Sequence, residues 1–197
     1  PPPPPTPPPP PPEIYTVLTS SSASDVYKRQ PWVGALVADT KQPLLLVTPE
    51  GMEEETITRL SRVGFDGTVG YLKGGLDAWE ASGKETDSIN SVPAKTVKEQ
   101  LEANKIPVFD VRKEGEFLSE HLKDANHTPL SDLNTYLSEF PKDGNFFLHC
   151  AGGYRSVIAA SILKSRGIHN LIDVSGGFGA LKKEGLAMTD YVCPSTL

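Results

Sequence analysis

A cysteine and an arginine stand at the two ends of a short loop in the second half of the chain. The loop reads Cys150-Ala151-Gly152-Gly153-Tyr154-Arg155 and is followed by Ser156. It lies between an apolar run, Asn145 to His149, that predicts a buried strand and a stretch, Ser156 to Arg166, that predicts a helix. A thiol placed between a strand end and a helix start points to nucleophilic catalysis.

Several properties of this loop favour a negatively charged sulfur atom. Ligands bind at the carboxyl edge of a parallel sheet, and a helix start directs unpaired N–H groups and a positive dipole end at whatever occupies the loop. Gly152 and Gly153 allow backbone angles that turn successive amides inward into an anion-binding nest, and Arg155 adds a positive charge. We therefore expect Cys150 to act as a thiolate nucleophile.

The length of the loop separates two kinds of anion. Cys150 and Arg155 enclose four residues, whereas a cysteine phosphatase of the Cys-x5-Arg kind encloses five. The shorter ring suits one sulfur atom bonded to Cys150 better than a phosphate that must spread three oxygens among the amides. A phosphatase is the disfavoured alternative, and release of phosphate from an ester would revive it.

Composition argues against several other classes. The 197 residues are 38% hydrophobic and 22% charged with a net charge of -6, which is typical of a globular protein and argues against a nucleic-acid partner. Apolar runs such as Val157 to Leu163 fall far short of the roughly 20 residues of a membrane span. Cys150 and Cys193 are too few for a disulfide framework, which favours the cytoplasm. The four histidines lack metal-ligand spacing, so we expect no metal. We also expect no cofactor and, from the short apolar runs, no membrane association.

The chain is expected to fall into four segments. Residues 1–30 open with a proline tract and predict disorder; Ser21 to Gln30 resembles the adaptor-derived tails of translated sequence assemblies, with a genuine proline-rich linker as the alternative. Residues 31–86 should form a partial domain, residues 87–190 a complete one, and residues 191–197 a tail. Short apolar runs that alternate with helical stretches predict an α/β fold, with an open parallel sheet flanked by helices.

An internal repeat underlies this division. Lys41 to Gly83 and Asp143 to Gly185 overlay with an offset of 102 residues, and each copy reads as strand, loop, helix, strand, Gly-Gly turn, helix. Ahead of the second copy the sequence predicts a helix opened by the capping-box pattern Thr96 to Glu99, a strand from Ile106 to Asp110 and a helix from Ser131 to Phe140.

The first copy lacks the equivalents of these elements, because residues 1–30 are not expected to supply a strand. Its sheet should have an unpaired edge and an exposed apolar face. Its matching loop, Thr48 to Glu54, has neither a thiol nor an arginine, so we expect this copy to be non-catalytic.

The stretch from His149 to Ser156 resembles the active-site loop of the rhodanese family, especially its single-domain members with a six-residue loop. Upstream segments are similar to the family signature: Phe109-Asp110-Val111-Arg112, Glu116-Phe117, His121, Ala125-Asn126 and Pro129-Leu130. The sequence departs from that signature where Glu120 and Asp124 replace glycine and where His127-Thr128 adds one residue. These departures concern a connecting segment, and the loop itself is intact.

The resemblance implies a sulfurtransferase. Cys150 would take sulfane sulfur from thiosulfate or a low-molecular-weight persulfide and pass it to a thiol or cyanide. Amides of Ala151 to Ser156 would stabilise the transferred sulfur, and Arg155 would help to hold the loop. Asp110 and Arg112, at the end of a neighbouring strand, are expected to support the loop and orient the substrate.

Tandem copies of which one is inactive resemble the C-terminal part of metallo-β-lactamase-fold proteins related to persulfide dioxygenases. That resemblance implies an N-terminal metallo-β-lactamase-fold domain as a partner that this chain does not contain. The alternative to an enzyme is a sulfur-carrier or interaction module of a larger persulfide-metabolising protein.

Overall fold

The computed structural model describes residues 16–18, 33, 37 and 39–193 of the chain. The chain divides into two compact units between Thr86 and Asp87. We call them the N-terminal unit and the C-terminal unit.

The N-terminal unit contains a parallel sheet of three strands in the order β1-β2-β3. Its elements are β1 (Thr16–Leu18), β2 (Leu44–Val47), α1 (Glu53–Ser61), β3 (Thr68–Tyr71) and α2 (Gly75–Ala81). The prediction of disorder over residues 1–30 does not hold for β1, because its β-branched and apolar residues pair in parallel with β2. The other residues of that segment lie outside the described part of the chain.

Among the described residues, the two faces of β2 differ in burial. Leu44 and Leu46 of β2 are fully buried with Leu60 and Phe65, whereas Leu45 between them is 40% exposed. Alternation along a strand places Leu45 on the opposite face of the sheet. The described part of the N-terminal unit therefore leaves an apolar strand surface open to solvent.

The C-terminal unit is built on five parallel strands in the order β4-β8-β7-β5-β6. Its strands are β4 (Ser91–Pro93), β5 (Val108–Asp110), β6 (Asn126–His127), β7 (Phe146–His149) and β8 (Leu171–Ser175). Its helices are α3 (Ala94–Ala103), α4 (Glu114–Ser119), α5 (Tyr154–Ser165) and α6 (Gly177–Lys183), with a 3-10 helix at Leu130–Thr135. The predicted α/β class, an open parallel sheet flanked by helices, is confirmed.

Strand β7 is buried along its whole length, as expected for the centre of a parallel sheet covered on both faces. Phe147 packs in an apolar cluster with Val97 of α3 and Leu181 of α6. On the other face Phe146 meets Phe109 edge-on, at 5.2 Å between ring centroids. Burial of each such side chain contributes about 1.5–3 kcal/mol, so the strand that leads to Cys150 is held firmly.

Three predicted helix boundaries are wrong. The segment from Ser131 to Phe140 forms a 3-10 helix only at Leu130–Thr135, since its short polar side chains bond to local backbone: the Thr135 hydroxyl donates to Asp132 O at 2.7 Å. Helix α3 begins at Ala94, ahead of the capping-box pattern at Thr96. Helix α5 begins at Tyr154, two residues before Ser156.

Candidate active site

The loop that starts at Cys150 lies at the carboxyl edge of the sheet. Cys150 directly follows β7, whose last residue, His149, is paired with Asp110 at the end of β5. The loop ends where α5 begins, and Gly153 takes a left-handed φ of 99° there. Only glycine adopts that angle readily, so Gly153 allows the chain to turn from the strand directly into the helix.

A main-chain N–H group contacts the sulfur atom of Cys150. The Gly153 N–H donates to Cys150 Sγ, with 3.2 Å between nitrogen and sulfur. The N–H groups of Ala151 and Gly152 donate to no acceptor among the described residues. These two N–H groups are therefore available to an anion bound at the loop.

Cys150 lies at the floor of this loop. The residue is 1% exposed, whereas the two residues after it, Ala151 and Gly152, are exposed. A thiol buried in an apolar core would have no N–H donor on its sulfur and no unpaired amides beside it. The loop instead combines an N–H donor on Sγ with two N–H groups that have no acceptor among the described residues, and such groups can stabilise an anion.

A glycine turn after β8 fixes the carbonyl groups of the loop. Phe178 N–H donates to Cys150 O at 2.7 Å, and Gly179 N–H donates to Ala151 O at 3.3 Å. A Cβ atom on Gly177 would lie only 2.3 Å from Cys150 O. The turn therefore fixes the positions of the Cys150 and Ala151 carbonyl groups at the start of the loop. The sequence reveals Gly176-Gly177 as a repeated feature, but its part in the site is visible only in the structure.

Arg155 is paired with a carboxylate that sequence reasoning did not assign to the site. Its Nη2 donates to Glu116 Oε1 at 2.8 Å, and its Nη1 donates to the other carboxylate oxygen of Glu116. Hydrogen bonding to Arg155 lowers the pKa of Glu116, and the same contact raises the pKa of Arg155. The Glu116-Phe117 signature was the signal that could have pointed to this pair, which joins α4 to the loop.

The two remaining predicted loop residues differ in exposure. Ser156 is fully buried, and its hydroxyl donates to Gly153 O at 3.1 Å, so it stabilises the turn into α5. Tyr154 is 37% exposed on the first turn of that helix.

Asp110 and Arg112 form a buried ion pair, with 2.7 Å between Arg112 Nη2 and Asp110 Oδ2. Arg112 also donates to Glu120 O at 2.8 Å, and its guanidinium lies 3.9 Å from the ring centroid of Phe178. Phe178 is the residue whose N–H holds Cys150 O, so this pair braces the turn beneath the loop. None of these contacts involves the Cys150 sulfur, and the role of the pair in loop support and substrate orientation stays a prediction.

His149 is fully buried beside the nucleophile. Its Nε2 lies 3.9 Å from Asp110 Oδ2, and its Nδ1 lies 3.3 Å from Cys150 O. Burial lowers the pKa of His149 despite the nearby carboxylate. A neutral imidazole that contacts a main-chain carbonyl has a structural role, and proton transfer is not required of it.

Neither a metal-binding cluster nor a membrane-spanning helix occurs among the described residues. In that part of the chain, no group of three or more histidine, cysteine, aspartate or glutamate side chains is placed to hold a metal ion. No helix there has the length and apolar character needed to cross a bilayer.

Comparison with known proteins agrees with this geometry. Residues 93–184 match the family model of the rhodanese-like domain. The match begins at the last residue of β4 and ends just after α6, so the matched segment includes Cys150, its loop, the glycine turn and the Asp110–Arg112 pair.

Curated relatives match the same half of the chain. An uncharacterised protein of Synechocystis is 32% identical over 49% of this chain and 54% of its own length. A sulfurtransferase of Allochromatium vinosum is 25% identical over 50% of this chain and 92% of its own length. The putative sulfur carrier protein YrkF of Bacillus subtilis is 26% identical over 50% of this chain and 54% of its own length. The chain thus spans about half the length of two of these relatives.

Proposed function

We propose that the rhodanese-like domain is a sulfurtransferase in which Cys150 carries sulfane sulfur as a persulfide. The donor is thiosulfate or a low-molecular-weight persulfide, and the acceptor is a thiol or cyanide. The observation that carries the proposal is the hydrogen bond from Gly153 N–H to Cys150 Sγ, within a loop in which the N–H groups of Ala151 and Gly152 donate to no acceptor among the described residues. N–H donors arranged in this way stabilise negative charge on the nucleophile and on the sulfur added to it.

The reaction consists of two displacements at sulfur. The Cys150 thiolate attacks the outer sulfur of the donor, forms a new S–S bond and releases sulfite or a thiol. The acceptor then attacks the outer sulfur of the Cys150 persulfide and restores the thiolate. Covalent catalysis of this kind divides one transfer into two steps with a single nucleophile.

The test uses the full chain with thiosulfate and cyanide, and it measures thiocyanate. The native protein should form thiocyanate, and Cys150→Ser should form none. Cys193→Ser is the matched control, because it removes the other thiol, which is exposed, and should leave the rate unchanged. Equal rates for the native protein and Cys150→Ser would refute the proposal.

A second candidate is a sulfur-carrier module of a larger persulfide-metabolising protein. The name of YrkF and the partial coverage of its length favour this reading. A metallo-β-lactamase-fold domain of the larger protein would then be the partner, and the N-terminal unit, with Thr48 at the position of the nucleophile, would be non-catalytic. Mass spectrometry separates the candidates: a stable gain of one sulfur atom on Cys150 without thiocyanate production indicates the carrier.

A further inference from the structure

The charged side chains at the Cys150 loop form two pairs of opposite sign. Both terminal nitrogens of Arg155 donate hydrogen bonds to the carboxylate of Glu116. Arg112, which braces the turn beneath the loop, is bonded to Asp110 through three hydrogen-bonding contacts. Each of these two guanidinium groups therefore has its own carboxylate, and the formal charge of the four side chains together is zero.

An incoming sulfur donor therefore meets mainly the main-chain amides and the start of α5. The positive end of a helix is equivalent to roughly half an elementary charge. The negative charge of the Cys150 thiolate already offsets this partial charge. Thiosulfate would bring two further negative charges and would release sulfite with both of them. A persulfide R–S–SH brings one charge at most on its sulfur atoms and leaves as a thiol.

Apolar surface at the loop also suits an organic donor. Tyr154 and Val157, on the first turn of α5, are 37% and 42% exposed. The carbon chain of a persulfide can contact such side chains, whereas thiosulfate has no apolar part.

We infer that the physiological donor of the Cys150 site is a low-molecular-weight persulfide and that Glu116 sets this preference by neutralising Arg155. The inference rests on the proposed sulfurtransferase function and narrows its donor class. In the loading step, the Cys150 thiolate forms a bond to the outer sulfur of R–S–SH and the S–S bond of the donor breaks. Its electron pair stays on the inner sulfur, which takes the proton and leaves as R–SH, while Cys150 keeps a persulfide anion.

The test measures how fast each donor loads one sulfur atom onto Cys150 in the full chain, by rapid quenching and intact-protein mass spectrometry. The two donors are thiosulfate and 2-hydroxyethyl persulfide, which carries no charge outside its sulfur atoms. Glu116→Gln frees the charge of Arg155 and should raise the rate constant for thiosulfate about tenfold. The rate constant for the persulfide should change less than twofold, so the ratio of the two reports the charge.

Two control variants separate charge from structure. Glu114→Gln makes the same change of net charge on an exposed residue of α4 and should leave both rates unchanged. Glu116→Asp keeps a carboxylate at the site and should keep thiosulfate slow. An increase in the thiosulfate rate for either control variant, or none for a folded Glu116→Gln, would overturn the inference.

Ionic strength provides a measurement that needs no variant. Loading by thiosulfate in the native protein should accelerate as salt rises, because screening weakens the repulsion between the dianion and the thiolate. Slowing by salt would reveal an unmatched cation at the site and would refute the role of Glu116. Loading of Cys150 by neither donor would instead refute the proposed function itself, so the two failures can be told apart.

Discussion

The contact between the glycine turn and the loop can be tested by adding one methyl group. In Gly177→Ala the new Cβ would lie 2.3 Å from Cys150 O and 2.9 Å from the carbonyl carbon of Ala151. Neither atom belongs to a flexible side chain, so the backbone itself must move. Gly177 also has a φ of 55°, in the left-handed region that favours glycine.

The expected cost has three parts. Overpacking costs about 1–3 kcal/mol, and the left-handed angle costs an alanine about 1–2 kcal/mol. Loss of the hydrogen bond from Phe178 N–H to Cys150 O costs about 1 kcal/mol. We therefore expect Gly177→Ala to lower the free energy of unfolding of the C-terminal unit by about 4 kcal/mol and its Tm by more than about 10 °C.

Gly185→Ala is the matched control for backbone strain. Gly185 has a φ of 75°, and a Cβ atom there would meet nothing within 4 Å, so only the cost of the angle should remain. Unfolding in urea followed by circular dichroism gives the free energies, and mass spectrometry gives the rate of sulfur loading on Cys150. If Gly177→Ala lost no more stability than Gly185→Ala and loaded sulfur at the native rate, the turn would not be needed to hold the loop.

Three further predictions concern the same domain. Asp124 is the described non-glycine residue with a positive φ, 64°. Asp124→Gly removes a left-handed strain of about 1–2 kcal/mol, which the greater backbone freedom of glycine in the unfolded chain offsets by about 0.5–1 kcal/mol. It should therefore raise the free energy of unfolding by about 0.5–1 kcal/mol, and a loss in urea unfolding would contradict this. Arg112→Leu leaves the carboxylate of Asp110 buried without its partner and should cost about 3–5 kcal/mol in the same assay, and a cost below about 1 kcal/mol would show that the pair is not structural. Burial lowers the pKa of His149 below 6.5, so the unfolded chain binds a proton that the folded chain does not, and stability should fall as the pH drops below about 6.5. His149→Asn should reduce that slope between pH 7.5 and 5.5, measured as urea unfolding free energies, and an unchanged slope would assign it to other groups.

Local sequence patterns were sufficient to predict the strand and loop that carry Cys150. Phe146 to Leu148 is a continuous apolar run, which is typical of a parallel strand covered on both faces, and Gly152-Gly153 predicts a tight turn before a helix. The sequence also shows that Asp124 replaces a glycine of the family signature. Asp124 keeps a left-handed φ at this position, because aspartate tolerates the left-handed region better than most residues.

Long-range partners could not be predicted in the same way. Glu116 and Arg155 are separated by 39 positions in sequence. Neither the sequence around Glu116 nor that around Arg155 predicts that α4 lies beside the start of α5. The contact between Gly177 and Cys150 O also depends on how β8 and β7 place two loops at one edge of the sheet. Such pairs arise from topology, whereas periodicity and turn residues report only nearest neighbours along the chain.

The N-terminal unit helps to separate what the fold needs from what the chemistry needs. Its β2 and α2 stand 102 positions before β7 and α6, and a Cβ atom on Gly75 would lie 3.2 Å from Thr48 O. A close glycine turn is thus present beneath a loop that has no thiol, so the turn by itself does not indicate catalysis. Compared with the described residues of the N-terminal unit, the loop at Cys150 adds the sulfur atom, its Gly153 N–H donor and the Arg155–Glu116 pair. Variants of Gly177 should therefore impair stability and sulfur loading together, whereas variants of Glu116 should alter the choice of donor with the fold intact.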